Sequence, residues 1–224
     1  MRYDLAIFDL DGTLADTFPF FMATQNEVAR LHGFAAIAPH EVDRMRHLGP
    51  REVMRHVGMP RWKLPFVVRS FMRLMREHRD PIPLFDGIGD ALAHLEARGV
   101  KLAVVTSNSR GNVDRLLGDA HCRRMGHFEC GASMFGKKRR LLRVLRAAGV
   151  PATKAIYVGD QIPDAEAARA AGIDFGAVAW GYATRASLEA QRPAVVFDTP
   201  ADLARLAGDA PMKKPAPPER TRAG

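Results

Sequence analysis

Short apolar segments alternate with helical patterns along most of this chain, and this alternation restricts the fold more than any other sequence feature. The apolar segments are rich in β-branched residues and lack the apolar–polar alternation of a half-exposed strand, so they predict strands buried on both faces of a parallel sheet. They lie at residues 5–8, 101–106, 155–159, 175–180 and 194–197. A chain of 224 residues is long enough to bury a sizeable core around such a sheet.

Helical patterns fill the segments between these strands, and several of them end at a glycine, as helices often do. They occupy residues 87–99, 110–120, 137–149 and 164–172. Thr199 and Pro200 are a typical N-cap and first helical residue, so they predict a further helix near the end. The alternation predicts an α/β fold with a doubly wound, Rossmann-like parallel sheet.

Residues 16–86 interrupt this alternation. Their apolar residues recur at three- and four-residue spacing, which is typical of amphipathic helices, and no strand-like stretch is present. We therefore predict a helical cap inserted at 16–86 and a core formed by 1–15 and 87–208. Residues 209–224 are rich in proline and lack apolar periodicity, so we expect a disordered tail there.

Polar side chains follow three of the predicted strands at the points where the strands end. They are Asp9 and Asp11 after the first strand, Thr106, Ser107 and Asn108 after the second, and Asp160 and Asp164 after the third. Ligands of open α/β sheets bind in the crevice outside the carboxyl ends of the strands, so these side chains should converge there. Several carboxylates in one place favour a hard divalent cation such as Mg²⁺, which also takes water and substrate phosphate as ligands.

The segment "DLDG" at residues 9–12 places two carboxylates two positions apart. One carboxylate of such a pair can act as a nucleophile and metal ligand, while the other serves as general acid and base. Gly12 allows a tight turn beyond the pair because it has no Cβ atom.

Four motifs, taken in order, resemble those of the haloacid dehalogenase-like hydrolases: "DLDGTLADT" (9–17), "VVTSN" (104–108), "FGKK" (135–138) and "YVGDQIPD" (157–164). The resemblance covers about residues 3–208. The subgroup that the chain resembles most is the phosphoglycolate phosphatase-like one, in which an α-helical cap follows the first motif. The resemblance implies a phosphatase that hydrolyses a small phosphate monoester through an aspartyl-phosphate, with Mg²⁺ as cofactor.

The resemblance also implies a role for each matching residue. Asp9 would attack phosphorus, and Asp11 would protonate the leaving alcohol and then activate the hydrolytic water. The transferring phosphoryl group would be bound by Thr106, Ser107, Asn108 and Lys137. The Mg²⁺ ion would be held by the Asp9 carboxylate, the Asp11 backbone carbonyl and the Asp160 carboxylate, with Asp164 alongside.

Asp11 bears on which reaction of the family is expected. Dehalogenating members lack an aspartate there, because a halide leaves without a proton, whereas the alkoxide of a phosphate monoester needs one. Dehalogenation is therefore disfavoured. Phosphomutases share both aspartates, so a sugar-phosphate mutase is an alternative, and a non-catalytic protein that binds a phosphate ligand is another.

Three other groups of residues leave alternatives open. Lys137 and Lys138 could each be the motif lysine, and we choose Lys137 because it directly follows Gly136 at the loop end. The cap arginines could meet a carboxylate or second phosphate of the substrate, or face water; they are Arg44, Arg46, Arg51 and Arg55. The histidines and cysteines between 121 and 130 cluster, but at a spacing that fits no familiar zinc pattern.

The composition limits which binding partners and which cellular compartment we expect for this protein. The net charge of +8 attracts anions in general, yet the sequence has no nucleic-acid motif, and a small phosphorylated substrate accounts for the charge equally well. No apolar run approaches the length of a membrane span. Two cysteines are too few for a disulfide framework, which favours the cytoplasm. We expect a monomer or a homodimer.

Overall fold

A six-stranded sheet lies at the centre of the protein, whose computed structural model describes residues 2–131 and 136–209. The strands are β1 (Leu5–Phe8), β2 (Lys101–Val105), β3 (Met125–Glu129), β4 (Ala155–Gly159), β5 (Asp174–Val178) and β6 (Val195–Phe197). Their order across the sheet is β3-β2-β1-β4-β5-β6, and every neighbouring pair is parallel. The predicted doubly wound α/β fold is confirmed.

Helices account for most of the remaining described residues. The α-helices are α1 (Phe18–His32), α2 (Val42–Arg46), α3 (Pro50–His56), α4 (Leu64–Glu77), α5 (Ile88–Ala97), α6 (Arg110–Cys122), α7 (Lys137–Ala148), α8 (Ile162–Ala171) and α9 (Arg185–Glu189). Short 3₁₀ helices lie at Pro39–Glu41, Arg61–Lys63, Ala152–Lys154 and Pro200–Leu206. The backbone of α6 departs from helical geometry at Gly118.

The sheet is buried on both faces, which explains why its strands lack an alternating pattern. In β1, Leu5 and Ile7 belong to one apolar cluster, while Ala6 and Phe8 belong to the cluster on the opposite face. All four side chains are fully buried.

The winding of the sheet reverses between β1 and β4. From β1 the chain moves outward through β2 to β3, and it then returns to form β4 on the other side of β1. A crevice for ligands opens at the carboxyl ends of the strands where the order reverses. Asp9 directly follows β1 and Asp160 directly follows β4, so both aspartates lie at this crevice.

The cap helices α1 to α4 lie between β1 and α5 in the sequence and share an apolar core of their own. Its buried members are Val28, Ile37, Met45, Met54, Val57, Met59 and Val67. All four helices fall within the predicted insertion at 16–86, although the boundaries of the core and cap remain predictions.

Three local expectations differ from the structure. Strand β3 was not predicted, because its sequence "MGHFE" has little β-branched or apolar character and it forms an edge of the sheet. Residues 200–206 form a 3₁₀ helix rather than an α-helix, and Asp202 accepts the backbone N–H groups of Asp198 and Thr199 at its start. Strand β5 ends at Val178, two residues before Trp180.

The predicted disordered tail lies outside the described residues, apart from Asp209. This carboxylate accepts hydrogen bonds from His94 and Arg98, at 2.9 and 2.8 Å. Among the described helices, none combines the length and the apolar character that crossing a membrane requires.

Candidate active site

Lys137 links two aspartates at the carboxyl end of the sheet. Its Nζ atom lies 2.6 Å from Asp9 Oδ2 and 2.7 Å from Asp164 Oδ1, and all three side chains are buried. The other oxygen of Asp9 accepts the backbone N–H of Leu10 at 2.8 Å. Lys138, the other candidate for the motif lysine, is exposed. The structure therefore brings Lys137 into contact with the aspartates and leaves Lys138 on the surface.

Asp160 is held by donors from two different loops. Thr13 Oγ1 donates to its Oδ1 at 2.9 Å, and the backbone N–H of Tyr182 donates to its Oδ2 at 2.8 Å. Both loops approach so closely that a side chain would collide with the carboxylate: a Cβ at Gly12 would lie 2.3 Å from Asp160 Oδ2, and one at Gly181 would lie 2.2 Å from Asp160 Cβ. Gly12 also has φ +76°, a conformation that glycine adopts without strain.

Burial and neighbouring charges together shift the pKa values of these groups. Burial raises the pKa of Asp9 to about 7, although the positive charge of Lys137 opposes this change. Burial also raises the pKa of Asp160, and the charges of Asp164 and Asp9 act in the same direction. Burial disfavours the Lys137 ammonium, but the charges of Asp164 and Asp9 outweigh it and raise the pKa of Lys137. The carboxylates outnumber this ammonium, so the cluster attracts a further positive charge.

The donors of this cluster fit a hard divalent cation. Asp9, Asp160 and Asp164 each offer a carboxylate oxygen, and these oxygens lie within 4.8 Å of one another. Among residues 2–131 and 136–209, no other group of three or more His, Cys, Asp or Glu meets this condition, so the histidines and cysteines near residue 125 form no such group there. Oxygen donors are those that Mg²⁺ prefers.

Asp11 lies apart from this cluster, on the side that faces the cap. Asn108 Nδ2 is 3.2 Å from both carboxylate oxygens of Asp11. Burial raises the pKa of Asp11, while the hydrogen bond from Asn108, the charge of Lys137 and hydrogen bonds from Thr17 and Thr106 oppose the change. A carboxyl group with a raised pKa is better able to carry a proton near neutral pH.

The loop after β2 folds back on itself beside Asp11. Thr106 is fully buried, and its Oγ1 accepts the backbone N–H of Asn108 at 3.0 Å. Ser107 is half-buried and lines a cavity between core and cap, together with Asp11 and Asn108. The predicted phosphoryl-binding residues of this loop are thus next to Asp11, as expected for adjacent strand ends.

Asn112 connects this loop to the cap. Its Nδ2 donates to Asn108 Oδ1 at 2.8 Å and to the backbone carbonyl of Met72 in α4 at 3.1 Å. Asn108 also contacts Met75 Sδ of the same helix at 3.2 Å. A continuous chain of contacts therefore joins α4, through Asn112 and Asn108, to Asp11.

Of the four cap arginines singled out in the sequence, Arg46 is the one that lines the cavity. Its Nε donates to the carbonyl of Tyr182 at 2.9 Å, and a terminal nitrogen donates to the carbonyl of Gly181 at 3.0 Å. The guanidinium also lies 5.5 Å from the centre of the Phe18 ring. Arg46 thus ties the cap to the loop that holds Asp160.

The family described as haloacid dehalogenase-like hydrolase matches residues 6–178, which is more than half of the chain. The chain belongs to the haloacid dehalogenase-like hydrolases. The predicted membership of this hydrolase family is therefore confirmed.

Two relatives and one solved structure that resemble this haloacid dehalogenase-like hydrolase carry the name of the subgroup. A phosphoglycolate phosphatase of Synechococcus elongatus is 32% identical over 88% of this chain and 93% of its own length. A phosphoglycolate phosphatase of Pseudomonas syringae pv. tomato is 30% identical over 90% of this chain and 78% of its own length. A crystal structure of a Lactobacillus plantarum protein, assigned as a phosphoglycolate phosphatase, has a TM-score of 0.76 at 25% identity and covers 92% of this chain and 100% of that one. The predicted subgroup and the predicted enzyme class, a phosphatase of this family, are confirmed.

Several residues that support the site of this hydrolase were missed in the sequence. Tyr157 donates through its hydroxyl group toward Asp164 Oδ1 and the carbonyl of Val105, each at 3.1 Å, yet it reads as an apolar member of a strand. In the sequence, Thr13 and Asn112 look like ordinary turn and helix residues. The available signal was their position, since each lies within four residues of a predicted site residue and is buried.

Proposed function

We propose that this protein is a Mg²⁺-dependent phosphatase that hydrolyses a small phosphate monoester through an aspartyl-phosphate on Asp9. One observation carries the proposal: a buried Asp9 paired with Lys137 stands two residues from Asp11, which faces the cavity with a raised pKa. The relatives named phosphoglycolate phosphatases support the same reaction and make phosphoglycolate one candidate substrate.

In the first step, the Asp9 carboxylate attacks phosphorus and the bond from phosphorus to the ester oxygen breaks. Asp11 gives its proton to that departing oxygen, so the product leaves as a neutral alcohol. Lys137 orients Asp9 and offsets the negative charge of the transferring group. Thr106, Ser107 and Asn108, in the loop beside Asp11, provide hydrogen bonds to the transferring group.

In the second step, water attacks the phosphorus of the aspartyl-phosphate. Asp11, now ionised, takes a proton from this water, and the bond between phosphorus and the Asp9 oxygen breaks. Inorganic phosphate leaves, Asp9 is again a free carboxylate, and Asp11 is again protonated. The same residue therefore serves as acid in one step and as base in the next.

A bound Mg²⁺ would supply positive charge that offsets the charges of the carboxylates and of the phosphoryl oxygens. The residues that would hold it are Asp9, Asp160 and the backbone carbonyl of Asp11, with Asp164 alongside. Asp164 accepts from three donors, whereas Asp9 and Asp160 each accept from two among the described residues. Because a carboxylate has about four acceptor sites, we infer that Asp164 mainly orients Lys137.

The experiment measures phosphate release from p-nitrophenyl phosphate by the purified protein, with Mg²⁺ and with EDTA. We expect turnover with Mg²⁺ and its loss in EDTA, and full activity in EDTA would contradict the metal assignment. A second substrate, β-glucose 1-phosphate, tests the mutase. Conversion to the 6-phosphate without phosphate release would favour a mutase, and binding of phosphate esters without turnover would favour a non-catalytic protein.

We also propose a cytoplasmic enzyme that works as a monomer or a homodimer. Cys122 and Cys130 are both free, which fits a reducing compartment. Size-exclusion chromatography coupled to light scattering measures the oligomeric state directly.

A further inference from the structure

A cavity of about 300 Å³ lies between the core and the cap. At the core end it is lined by Asp11, Ser107 and Asn108, so it opens onto the groups that would carry out the reaction. At the other end it reaches the apolar core of the cap, where Met54 and Val57 form part of its wall. If the phosphate of a substrate lies at Asp9, the organic group of that substrate would occupy this cavity.

The wall that the cap provides is apolar almost throughout. Besides Met54 and Val57 it includes phenylalanine side chains such as Phe21 and Phe71. Gln25 is a polar exception, and its amide already makes two hydrogen bonds with Ile37: it donates to the carbonyl at 2.9 Å and accepts the backbone N–H at 3.0 Å. These two bonds fix the orientation of the amide toward Ile37.

The described lining contains a cationic side chain, and it is engaged with the core. Arg46 is the cationic residue in the described lining, and two of its nitrogens already donate to the carbonyls of Gly181 and Tyr182. Asp11 is the acidic residue in that lining and offers no positive charge to a carboxylate. A carboxylate placed against the apolar wall would lose its hydration without gaining a partner, which is costly.

The size of the cavity also favours an organic group larger than glycolyl. A volume of about 300 Å³ lies at the lower end of the range for pockets that bury drug-sized molecules, and it is more than the few heavy atoms of a glycolyl group need. Methionines on several sides, including Met45, Met59 and Met72, can adapt to apolar groups of different shape.

We propose that the preferred substrate is a phosphate monoester whose organic group is an uncharged alkyl or aryl body that fills this cavity. The proposal rests on the proposed phosphatase function and specifies its substrate class. Because glycolate carries a carboxylate, 2-phosphoglycolate should be a poor substrate of this chain, in contrast to what the names of its relatives suggest.

The first test uses the wild-type protein with Mg²⁺ and compares ethyl, butyl and hexyl phosphate. Burial of each methylene group contributes about 0.8 kcal/mol, so kcat/KM should rise about fourfold per added methylene until the cavity is full. Isobutyl phosphate and 2-phosphoglycolate form a matched pair, because an isopropyl group has nearly the shape of a carboxylate. We expect the isobutyl ester to have the higher kcat/KM.

The outcomes separate the two proposals. No phosphate release from any ester, p-nitrophenyl phosphate included, would overturn the phosphatase function itself. Phosphate release with a kcat/KM that is flat or falls with chain length, or that is higher for 2-phosphoglycolate than for the isobutyl ester, would overturn the substrate class and leave the phosphatase function in place.

A variant locates the effect in the cavity. Val68 of α4 lines it, so Val68→Phe should lower the ratio of kcat/KM for hexyl phosphate to that for ethyl phosphate by about tenfold. The control Arg73→Phe places the same ring on an exposed position of the same helix and should leave this ratio unchanged. Equal ratios in the two variants would contradict the proposal, and the wild-type series decides it if Val68→Phe does not fold.

Discussion

Asp11 lies between two regions that are built from different kinds of contact. On the core side, each carboxylate has defined donors: Lys137 for Asp9, Thr13 for Asp160, and Asn108 for Asp11. On the cap side, the cavity wall consists mostly of phenylalanine, methionine and aliphatic side chains that fix no direction for a ligand. Directional contacts suit a reaction that demands exact alignment, whereas an apolar wall suits selection by size and hydrophobicity.

This difference predicts which kinetic property a substitution in each region should change. A change in the core should alter kcat for every substrate, because all substrates share the phosphoryl group. A change in the cap should alter the ranking of substrates, because only their organic groups differ. The following predictions, from the largest effect to the smallest, test this division.

Asp9→Asn should have the largest effect. The amide keeps the shape of the side chain but has no charge with which to attack phosphorus, so kcat should fall on the order of 10⁴-fold or more for every phosphate ester. Steady-state phosphate release measures the loss, and circular dichroism checks the fold. The control Asp4→Asn makes the same chemical change at an exposed position and should keep wild-type activity. Similar turnover in both variants would refute the role of Asp9.

Asp11→Asn should be nearly as severe for alkyl esters and milder for aryl esters. General acid catalysis contributes roughly 10²–10⁴-fold, and its contribution shrinks when the leaving group is a stable phenolate. We expect the full loss in the first chemical step with butyl phosphate and a smaller loss with p-nitrophenyl phosphate, measured by single-turnover kinetics. Equal losses for the two esters would show that Asp11 does not protonate the leaving group.

Asn112→Ala tests the contact between the two regions. The change leaves the part-buried Met72 carbonyl and the buried Asn108 Oδ1 without this donor, at a cost of about 1–3 kcal/mol, so kcat should fall about tenfold to hundredfold. The control Ser109→Ala removes the N-cap of the same helix without touching α4. It should lower the melting temperature with little change in kcat. Equal loss of kcat in both variants would mean that only helix stability matters.

Arg46→Lys should have the smallest effect, at the boundary of the cap. Lysine keeps the charge but cannot donate in the same fork to the carbonyls of Gly181 and Tyr182. Because one such hydrogen bond contributes about 1 kcal/mol, KM should rise severalfold. Arg44→Lys, on the exposed side of the same helix, is the matched control. An equal rise in KM for the two variants would argue against a specific contact.

Much of the core could be predicted from the sequence because its geometry follows from parallel strands. Asp9 and Asp160 are 151 positions apart in the sequence, yet the carboxyl ends of neighbouring strands must lie side by side. The choice of Lys137 over Lys138 also followed from its place at the loop end, and the structure puts Lys137 against Asp9. The catalytic roles of these residues remain predictions.

The cap could not be predicted to the same depth, for a physical reason. Phenylalanine and methionine at helical spacing indicate an apolar surface, but the spacing does not show whether that surface meets another side chain or a cavity. The Met45 and Met54 side chains contact other side chains of the cap core and also line the cavity. Tyr157 shows the same limit in the core, because the partner of its hydroxyl group depends on the packing of α8.

A covalent bond between Asp9 and phosphorus is the central step of the proposed reaction, and trapping that intermediate tests it most directly. Asp11→Asn should slow hydrolysis of the aspartyl-phosphate more than its formation from p-nitrophenyl phosphate, so the intermediate should accumulate. Acid quenching, borohydride reduction and peptide mass spectrometry should then show homoserine at position 9. Turnover of p-nitrophenyl phosphate by the wild type, with position 9 unmodified in both proteins or the label on another residue, would contradict the account.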